Sequence, residues 1–283
     1  MTFKAGLVQM RSGVDEARNF MVAQELIREA ADEGADFIST PEITNLFEPD
    51  RAALANKITL QSDNLSVRGF SALAGELRRW LHIGSLVLKS ETGLALNRSI
   101  LFAPDGKIAA TYDKVHLFDV DLPNGDQYRE SAAYQGGKDA VVVTLPFCKL
   151  GLSICYDVRF PALFNALAQA GANVLATPAA FTVPTGEAHW HVLQRARAIE
   201  TGSFVISAAQ GGDHKNGRST YGHSLVVNPW GEVIAELPPD QPGVLSAEID
   251  IAKSTNARAR IPALANAKAF NLQQINAAAN GAP

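Results

Sequence analysis

Three reactive side chains of this 283-residue chain stand at comparable places in the sequence. Cys155 follows the apolar run Leu150-Gly151-Leu152-Ser153-Ile154 and precedes a helix-like stretch. A nucleophile at a strand-to-helix turn is presented at the edge of a sheet, beside backbone N–H groups of the helix start. Their partial positive charge favours thiolate over thiol, and an ordinary thiol of pKa ~8.5 is only about 3% ionised at pH 7. The sequence therefore predicts a lowered pKa at Cys155, against the plainer alternative of a structural cysteine packed in the core. Cys148, between Phe147 and Lys149 in a predicted turn, has nothing beside it that would activate it.

Glu42 ends the strand-like run Phe37-Ile38-Ser39-Thr40-Pro41, and Lys114 ends Ile108-Ala109-Ala110-Thr111-Tyr112-Asp113. Like Cys155, each falls just past the C-terminal end of a predicted strand, where α/β sheets assemble sites from separate strands. Taken singly, Glu42 reads as a solvated loop carboxylate and Lys114 as the surface partner of Asp113 or Asp119. Taken together, a carboxylate, an amine and a thiol supply a base, a cation for developing negative charge and a nucleophile. His116, His189, His191, His214 and His223 are also available as bases, but their surroundings single none out.

The elements that position these groups alternate along the chain. Strands are predicted at 3–9, 36–39, 82–88, 96–103, 107–113, 141–145, 149–154, 173–177, 203–208, 222–228, 232–236 and 243–249. Helices are predicted at 14–33, 65–80, 161–170 and 187–200. The first helix carries Phe20, Leu26, Ile27 and Ala30 against Glu16, Glu25, Arg28 and Glu29, an amphipathic pattern stopped by Gly34. Pro104-Asp105-Gly106 and Asn228-Pro229-Trp230-Gly231 mark hairpin turns. Hairpins mixed with helical crossovers indicate layered mixed sheets rather than a purely parallel doubly wound sheet. No linker divides residues 1–262, read as one domain, whereas 263–283 form an Ala-, Asn- and Gln-rich tail, either a frayed helix or an arm for a partner subunit.

The charge balance, 25 Lys+Arg against 29 Asp+Glu for a net −4, argues against nucleic-acid or anionic-membrane partners. No apolar stretch approaches the ~20 residues of a membrane span, and the N-terminus lacks a signal-peptide layout. Two cysteines without a CxxC or Cys/His cluster suggest neither a disulfide framework nor a metal site. A cytoplasmic protein without metal or cofactor is the expectation.

These segments resemble the nitrilase superfamily of carbon–nitrogen hydrolases. The resemblance rests on Thr40-Pro41-Glu42, on Asp113-Lys114-Val115-His116-Leu117-Phe118 and on Ile154-Cys155-Tyr156-Asp157-Val158-Arg159-Phe160-Pro161. Glu130, in Glu130-Ser131-Ala132-Ala133-Tyr134-Gln135-Gly136-Gly137, matches a fourth motif, that of an assisting glutamate. The resemblance implies an α/β fold, a four-layer α-β-β-α sandwich with two mixed β-sheets, and a Glu42–Lys114–Cys155 triad. It also implies a linear amide hydrolysed through a cysteine thioester with release of ammonia, no cofactor, and a homodimer or higher homo-oligomer. Residues 178–190 with Ala208-Ala209-Gln210 and Tyr221-Gly222-His223-Ser224 are similar to the Nit-type amidases. They lie closer to deaminated glutathione amidases than to ω-amidases acting on α-ketoglutaramate; a nitrilase or N-carbamoyl amidohydrolase stands further off. After Arg260-Ile261-Pro262 the chain departs from the family, turning Ala-rich where paired arginines and a terminal Leu-Tyr are usual.

Within that resemblance the Tyr156 N–H and Lys114 are expected to stabilise the oxyanion. Glu42 is expected in a desolvated pocket that raises its pKa, with Lys114 pulling the other way. Arg159 is the candidate for the substrate's far carboxylate, with a structural ion pair as its alternative. Phe118 and Phe181 are expected to wall the pocket or to pack in the core, and residues 117–137 to form a long loop suited to a lid. Two readings from other classes remain: a Cys-His-Asp hydrolase on an α/β-hydrolase fold, and a binding protein that keeps the fold without catalysis.

Overall fold

A computed structural model describes residues 1–122 and 125–276. Strands β1 (Thr2–Gln9), β2 (Phe37–Ser39), β3 (Trp80–Lys89), β4 (Ala95–Phe102) and β5 (Ile108–Asp113) form one six-stranded sheet with β16 (Gly243–Asp250), in the order β16-β1-β2-β3-β4-β5. Its β1, β2 and β3 run parallel; the other pairings are antiparallel. The second sheet joins β8 (Val142–Thr144), β9 (Lys149–Leu152), β10 (Val174–Ala176), β11 (Phe204–Ser207), β14 (Leu225–Val227) and β15 (Val233–Glu236), in the order β15-β14-β11-β10-β9-β8. Here β9, β10 and β11 are the parallel strands. Two small hairpins, β6 (Asp119–Asp121) with β7 (Gln127–Arg129) and β12 (Gly211–Asp213) with β13 (Ser219–Tyr221), stand outside the sheets.

Side-chain alternation sorts the layers. In β1, Leu7 joins the cluster between the sheets while Val8 joins the one under the helices α1 (Glu16–Asp32) and α3 (Leu65–Leu77). Ala23, Ile27 and Ala30 of α1 and Phe70 and Leu73 of α3 fill that second cluster. The cluster between the sheets continues into Phe164 of α4 (Pro161–Gln169) and Trp190 of α5 (Val183–Thr201). The result is a helix–sheet–sheet–helix sandwich of two mixed sheets, as the family resemblance implies.

Boundaries move where capping decides them. The first helix starts at Glu16 because the Asp15 carboxylate accepts the Arg18 N–H at 3.1 Å. The helix predicted to residue 80 ends at Leu77, with Arg78 in the left-handed conformation at φ 53°, which frees Trp80 to begin β3. The helix predicted from 187 begins at Val183, since Pro184 in its first turn lacks only an N–H that would have no partner there. Residues 40–64, which carry no periodic signal, include the helix α2 (Arg51–Lys57), capped by the Asp50 carboxylate on the Ala53 N–H at 2.7 Å. Residues 117–137 are not a plain loop, because the β6–β7 hairpin organises them. At the C-terminal end, α6 (Ile251–Arg260) leads to α7 (Ala263–Asn266), anchored where the Gln169 side chain donates to the Leu264 carbonyl at 2.9 Å. The tail beyond residue 276 lies outside the described residues.

The irregularity that matters for the site is a bulge in β3, between Ile83 and Leu86. It turns backbone donors toward the segment after β2. Gly84 N–H reaches Thr40 Oγ1 at 3.1 Å and Ser85 N–H reaches the Pro41 carbonyl at 3.1 Å. Any side chain at Gly84 would collide with that segment, since a Cβ there would sit 2.1 Å from the Thr40 carbonyl oxygen and 2.4 Å from Pro178 Cβ. Gly84→Ala is therefore expected to lower the melting temperature by several degrees and turnover at least about tenfold, as overpacking typically costs 1–3 kcal/mol. Thermal unfolding and hydrolysis rates of the purified variant check both.

Candidate active site

Glu42, Lys114 and Cys155 leave the C-terminal ends of β2, β5 and β9 and converge between the sheets. Glu42 is fixed through its neighbours. Ile43, at φ 49°, donates its N–H to Ser85 Oγ at 2.7 Å, and the Glu42 carbonyl accepts from Gln210 Nε2 at 3.0 Å. Lys114 extends the β5 edge, its N–H bonded to the Asn97 carbonyl at 3.0 Å. Cys155 opens a 3-10 turn, Cys155–Arg159, and its N–H is held by the Pro178 carbonyl at 2.8 Å. At φ 49° Cys155 occupies the left-handed region that non-glycine residues rarely adopt, a strained turn that projects its side chain into the site.

The three groups meet in a nearly dry cluster in which Glu42, Lys114 and Cys155 are 4%, 2% and 7% exposed. Lys114 Nζ lies 2.8 Å from Glu42 Oε1 and 2.9 Å from Glu130 Oε2. Asn97 Nδ2 bridges the same two carboxylates, at 2.9 Å to Glu42 and 3.2 Å to Glu130. The other Glu42 oxygen accepts the Ala180 N–H at 2.9 Å. Glu130 is itself held by the Phe118 N–H at 2.6 Å. Burial alone would lower the Lys114 pKa, but Glu130, Glu42 and the thiol of Cys155 outweigh it and hold the ammonium well above its ordinary range. Lys114 thus remains a cation.

At Cys155 the expected direction is reversed. Burial pushes the thiol well above its usual range and the Glu42 carboxylate adds to the shift; Lys114 and the Ala180 N–H oppose it without prevailing. The helix-start donors expected to favour thiolate are outweighed because the sulfur is desolvated and faces a carboxylate. Burial and the Glu42 carboxylate together favour the protonated thiol as the resting form of the nucleophile. Cys148, likewise buried, has its thiol pushed up to about 12 by desolvation, consistent with the inert role expected.

Asp157, fully buried, ties the nucleophile turn to the lysine loop. Its Oδ2 accepts the Ile154 N–H at 2.9 Å and the Tyr112 hydroxyl at 2.7 Å, while Oδ1 accepts the His116 N–H at 3.0 Å and meets His116 Nδ1 at 2.7 Å. The His116 ring stacks on Phe160 at 3.5 Å. His116 thus holds the loop after Lys114. His82 and His214 are buried, with pKa values lowered to about 3 and about 4 chiefly by desolvation, so both stay neutral.

The cluster forms one end of a cavity of about 410 Å³. All eight residues singled out from the sequence, Glu42, Lys114, Cys155, Glu130, Tyr156, Arg159, Phe118 and Phe181, line it. The Arg159 guanidinium lies over Phe181 at 5.3 Å and Tyr156 at 5.8 Å and contacts His189 Nδ1 at 3.2 Å. Among the described residues it is in no ion pair, the structural role considered as its alternative. Sequence reasoning missed Asn97, Tyr134, the Ala180 N–H and Arg218. A lone asparagine inside an apolar strand was a usable signal for Asn97; nothing in the sequence marks the others. Among the described residues, His191, His223 and Glu236 are the one group of side chains close enough to share a metal ion, and none of them lines the cavity.

Comparison with known proteins decides the family. The family described as "Carbon-nitrogen hydrolase" matches residues 4–259. The chain belongs to the carbon–nitrogen hydrolase family. It is 36% identical to the deaminated glutathione amidase of Dictyostelium discoideum, over 96% of this chain and 94% of that protein. It is also 36% identical to the human omega-amidase NIT2, over 92% of this chain and 93% of that protein. The NitFhit protein of C. elegans superposes with a TM-score of 0.87 at 34% identity; the match covers 94% of this chain and 65% of that protein. This carbon–nitrogen hydrolase acts on bonds other than peptide bonds, and both named relatives are amidases. No helix among the described residues is long and apolar enough to cross a membrane.

The raised thiol pKa carries a consequence for stability. An unfolded thiol ionises near pH 9, whereas folded Cys155 keeps its proton, so above that pH the native state binds more protons and stability falls as pH rises. Cys155→Ala lacks this dependence. Urea denaturation at pH 7 and pH 10 is expected to show the wild type losing stability relative to the variant; identical pH dependences would contradict it.

Proposed function

We propose that the chain is an amidase working through a thioester on Cys155, with deaminated glutathione as substrate and α-ketoglutaramate as the alternative. One observation carries the reading: inside a cavity that admits a small molecule, the buried carboxylate of Glu42 bonds Lys114 at 2.8 Å and lines the same end as the buried thiol of Cys155. That arrangement suits a nucleophile deprotonated only as it attacks.

In this mechanism Glu42 takes the thiol proton as sulfur bonds to the amide carbonyl carbon. Lys114 and the Tyr156 N–H stabilise the resulting oxyanion, each donor typically worth about 3–4 kcal/mol. The C–N bond breaks as Glu42 returns the proton to the departing nitrogen, leaving an acyl thioester. Glu42 then removes a proton from water, whose oxygen attacks the thioester carbonyl. The C–S bond breaks, the proton returns to sulfur, and the acid departs. Glu130, by neutralising Lys114 together with Glu42, keeps the ammonium in place between the two carboxylates.

Both substrates deliver the same α-ketoglutaryl group to Cys155 and differ in what leaves. A primary amide such as α-ketoglutaramate releases ammonia. Deaminated glutathione, whose amide nitrogen belongs to cysteinylglycine, releases that dipeptide, so the ammonia expected from the sequence applies to the first alone. The proposal extends to residues 1–262 acting as one hydrolase domain with 263–283 as a tail, and to a cytoplasmic homodimer or higher homo-oligomer. Val192, Ile199, Trp230 and Ile261, each more than half exposed, support association with a second copy.

Glu42→Gln is expected to fold normally and to lower turnover at least about a hundredfold, since the amide cannot take the thiol proton. Circular dichroism and hydrolysis of deaminated glutathione, followed by α-ketoglutarate release, check both parts. Near-wild-type turnover would remove Glu42 from the mechanism.

A further inference from the structure

Arg218 lines the cavity with Arg51, Arg129 and Arg159, and the amidase mechanism leaves it without a task. Arg218 stands in the turn of the β12–β13 hairpin, and its guanidinium lies 4.9 Å from the ring centres of both Phe47 and Tyr128. It lines the same cavity as Cys155. The hairpin turn is braced from several sides. Its ends are joined by His214 N–H to the Arg218 carbonyl at 2.8 Å, Asn216 Oδ1 accepts the Arg218 N–H at 3.0 Å, and Asn216 Nδ2 donates to the Phe47 carbonyl at 2.6 Å. The arginine is therefore held in place before any ligand arrives.

Among the described residues its charge has no counterpart. Three carboxylates of the cavity are committed elsewhere, Glu42 and Glu130 to Lys114 and Glu48 to Lys57, and the fourth, Asp126, has an interaction of its own. Among the described residues Arg218 forms no ion pair and no side-chain hydrogen bond. Aromatic faces hold the plane of a guanidinium while leaving its edge of N–H donors available, and that edge matches a carboxylate.

Three rings link Arg218 to Arg159 along the cavity wall. Arg218 rests on Tyr128, Tyr128 meets Phe118 at 5.2 Å, Phe118 meets Tyr156 at 5.1 Å, and Tyr156 carries Arg159. Arg159 closes the same 3-10 turn that Cys155 opens, within short reach of the thioester. The α-keto acid end of the acyl group is short and suits Arg159. A carboxylate on the leaving side, separated from the scissile nitrogen by a dipeptide, needs a partner further away.

We infer that Arg218 is a specificity residue that binds a carboxylate on the leaving amine of the substrate. This rests on the amidase reading and deepens it: the preferred substrates are substituted amides carrying an anion on each side of the scissile bond. Primary amides, which leave as ammonia, offer Arg218 nothing.

The test pairs a change in the residue with a change in the substrate. Deaminated glutathione and its analogue with the glycyl carboxylate converted to a carboxamide are compared in wild type, Arg218→Leu and Arg218→Lys, with α-ketoglutaramate as a third substrate. In wild type the carboxamide is expected to raise KM about ten- to a hundredfold with kcat little changed, the range for a hydrogen-bonded charge. In Arg218→Leu that ratio falls to near one, and in Arg218→Lys it is intermediate. The same ratio in wild type and Arg218→Leu, or no discrimination in wild type, overturns the assignment while Cys155-dependent hydrolysis leaves the amidase reading standing. Should Arg218→Leu fail to fold, an undiminished wild-type ratio in Arg218→Lys, or no discrimination by the wild type between the two substrates, overturns it equally. Wild type inactive on all three substrates overturns the amidase reading and the assignment with it.

Discussion

The structure is organised around keeping three charges dry. Glu42 and Glu130 flank Lys114 within 2.8 and 2.9 Å, and all three are buried or nearly so. An unpaired charge in such a place is strongly destabilising, so the cluster persists only while every member is hydrogen-bonded. Asn97 joins the two carboxylates, and the Ala180 and Phe118 N–H groups take the remaining oxygens. The same crowding determines the chemistry. Buried and with a carboxylate beside it, the sulfur of Cys155 favours its protonated form, and proton transfer is deferred until a carbonyl carbon is there to be attacked.

Maintaining that cluster accounts for features of the scaffold that would otherwise look like defects. The β3 bulge supplies donors to the Glu42 segment and requires a glycine at residue 84. Cys155 and Ile43 are held at positive φ by surrounding bonds rather than by their own preference. Asp157 couples the cysteine turn on one sheet to the lysine loop on the other, so the sheets are held in register at the point where the groups must meet. The residues that touch substrate are thus few, and the residues that place them are spread over both sheets.

Much of this was legible in the sequence. Glu42, Lys114 and Cys155 each stood after a strand-like run, and strand ends are where layered α/β folds gather side chains. The mixed sheets followed from hairpin turns between crossovers. The helices with clear 3.6 periodicity, α1 and α4, were read within two residues of their ends. What escaped shares one physical cause. Arg218, Tyr134 and the Ala180 N–H acquire meaning only from neighbours distant in sequence, and short hairpins such as β6–β7 and β12–β13 have too few residues for a periodic signal. The thiol pKa was misread for the same reason: a helix start is local and visible, whereas desolvation and the Glu42 carboxylate arrive through tertiary packing.

The central claim is that the buried thiol is transferred from proton to acyl group and back. Its most direct test is mass spectrometry of the protein quenched in acid during steady-state turnover of α-ketoglutaramate, with the modified peptide sequenced. The account predicts an α-ketoglutaryl adduct on the peptide carrying Cys155, absent from Cys155→Ala, which also loses hydrolysis. Hydrolysis persisting in Cys155→Ala, with no adduct on Cys155 of the wild type, would contradict it.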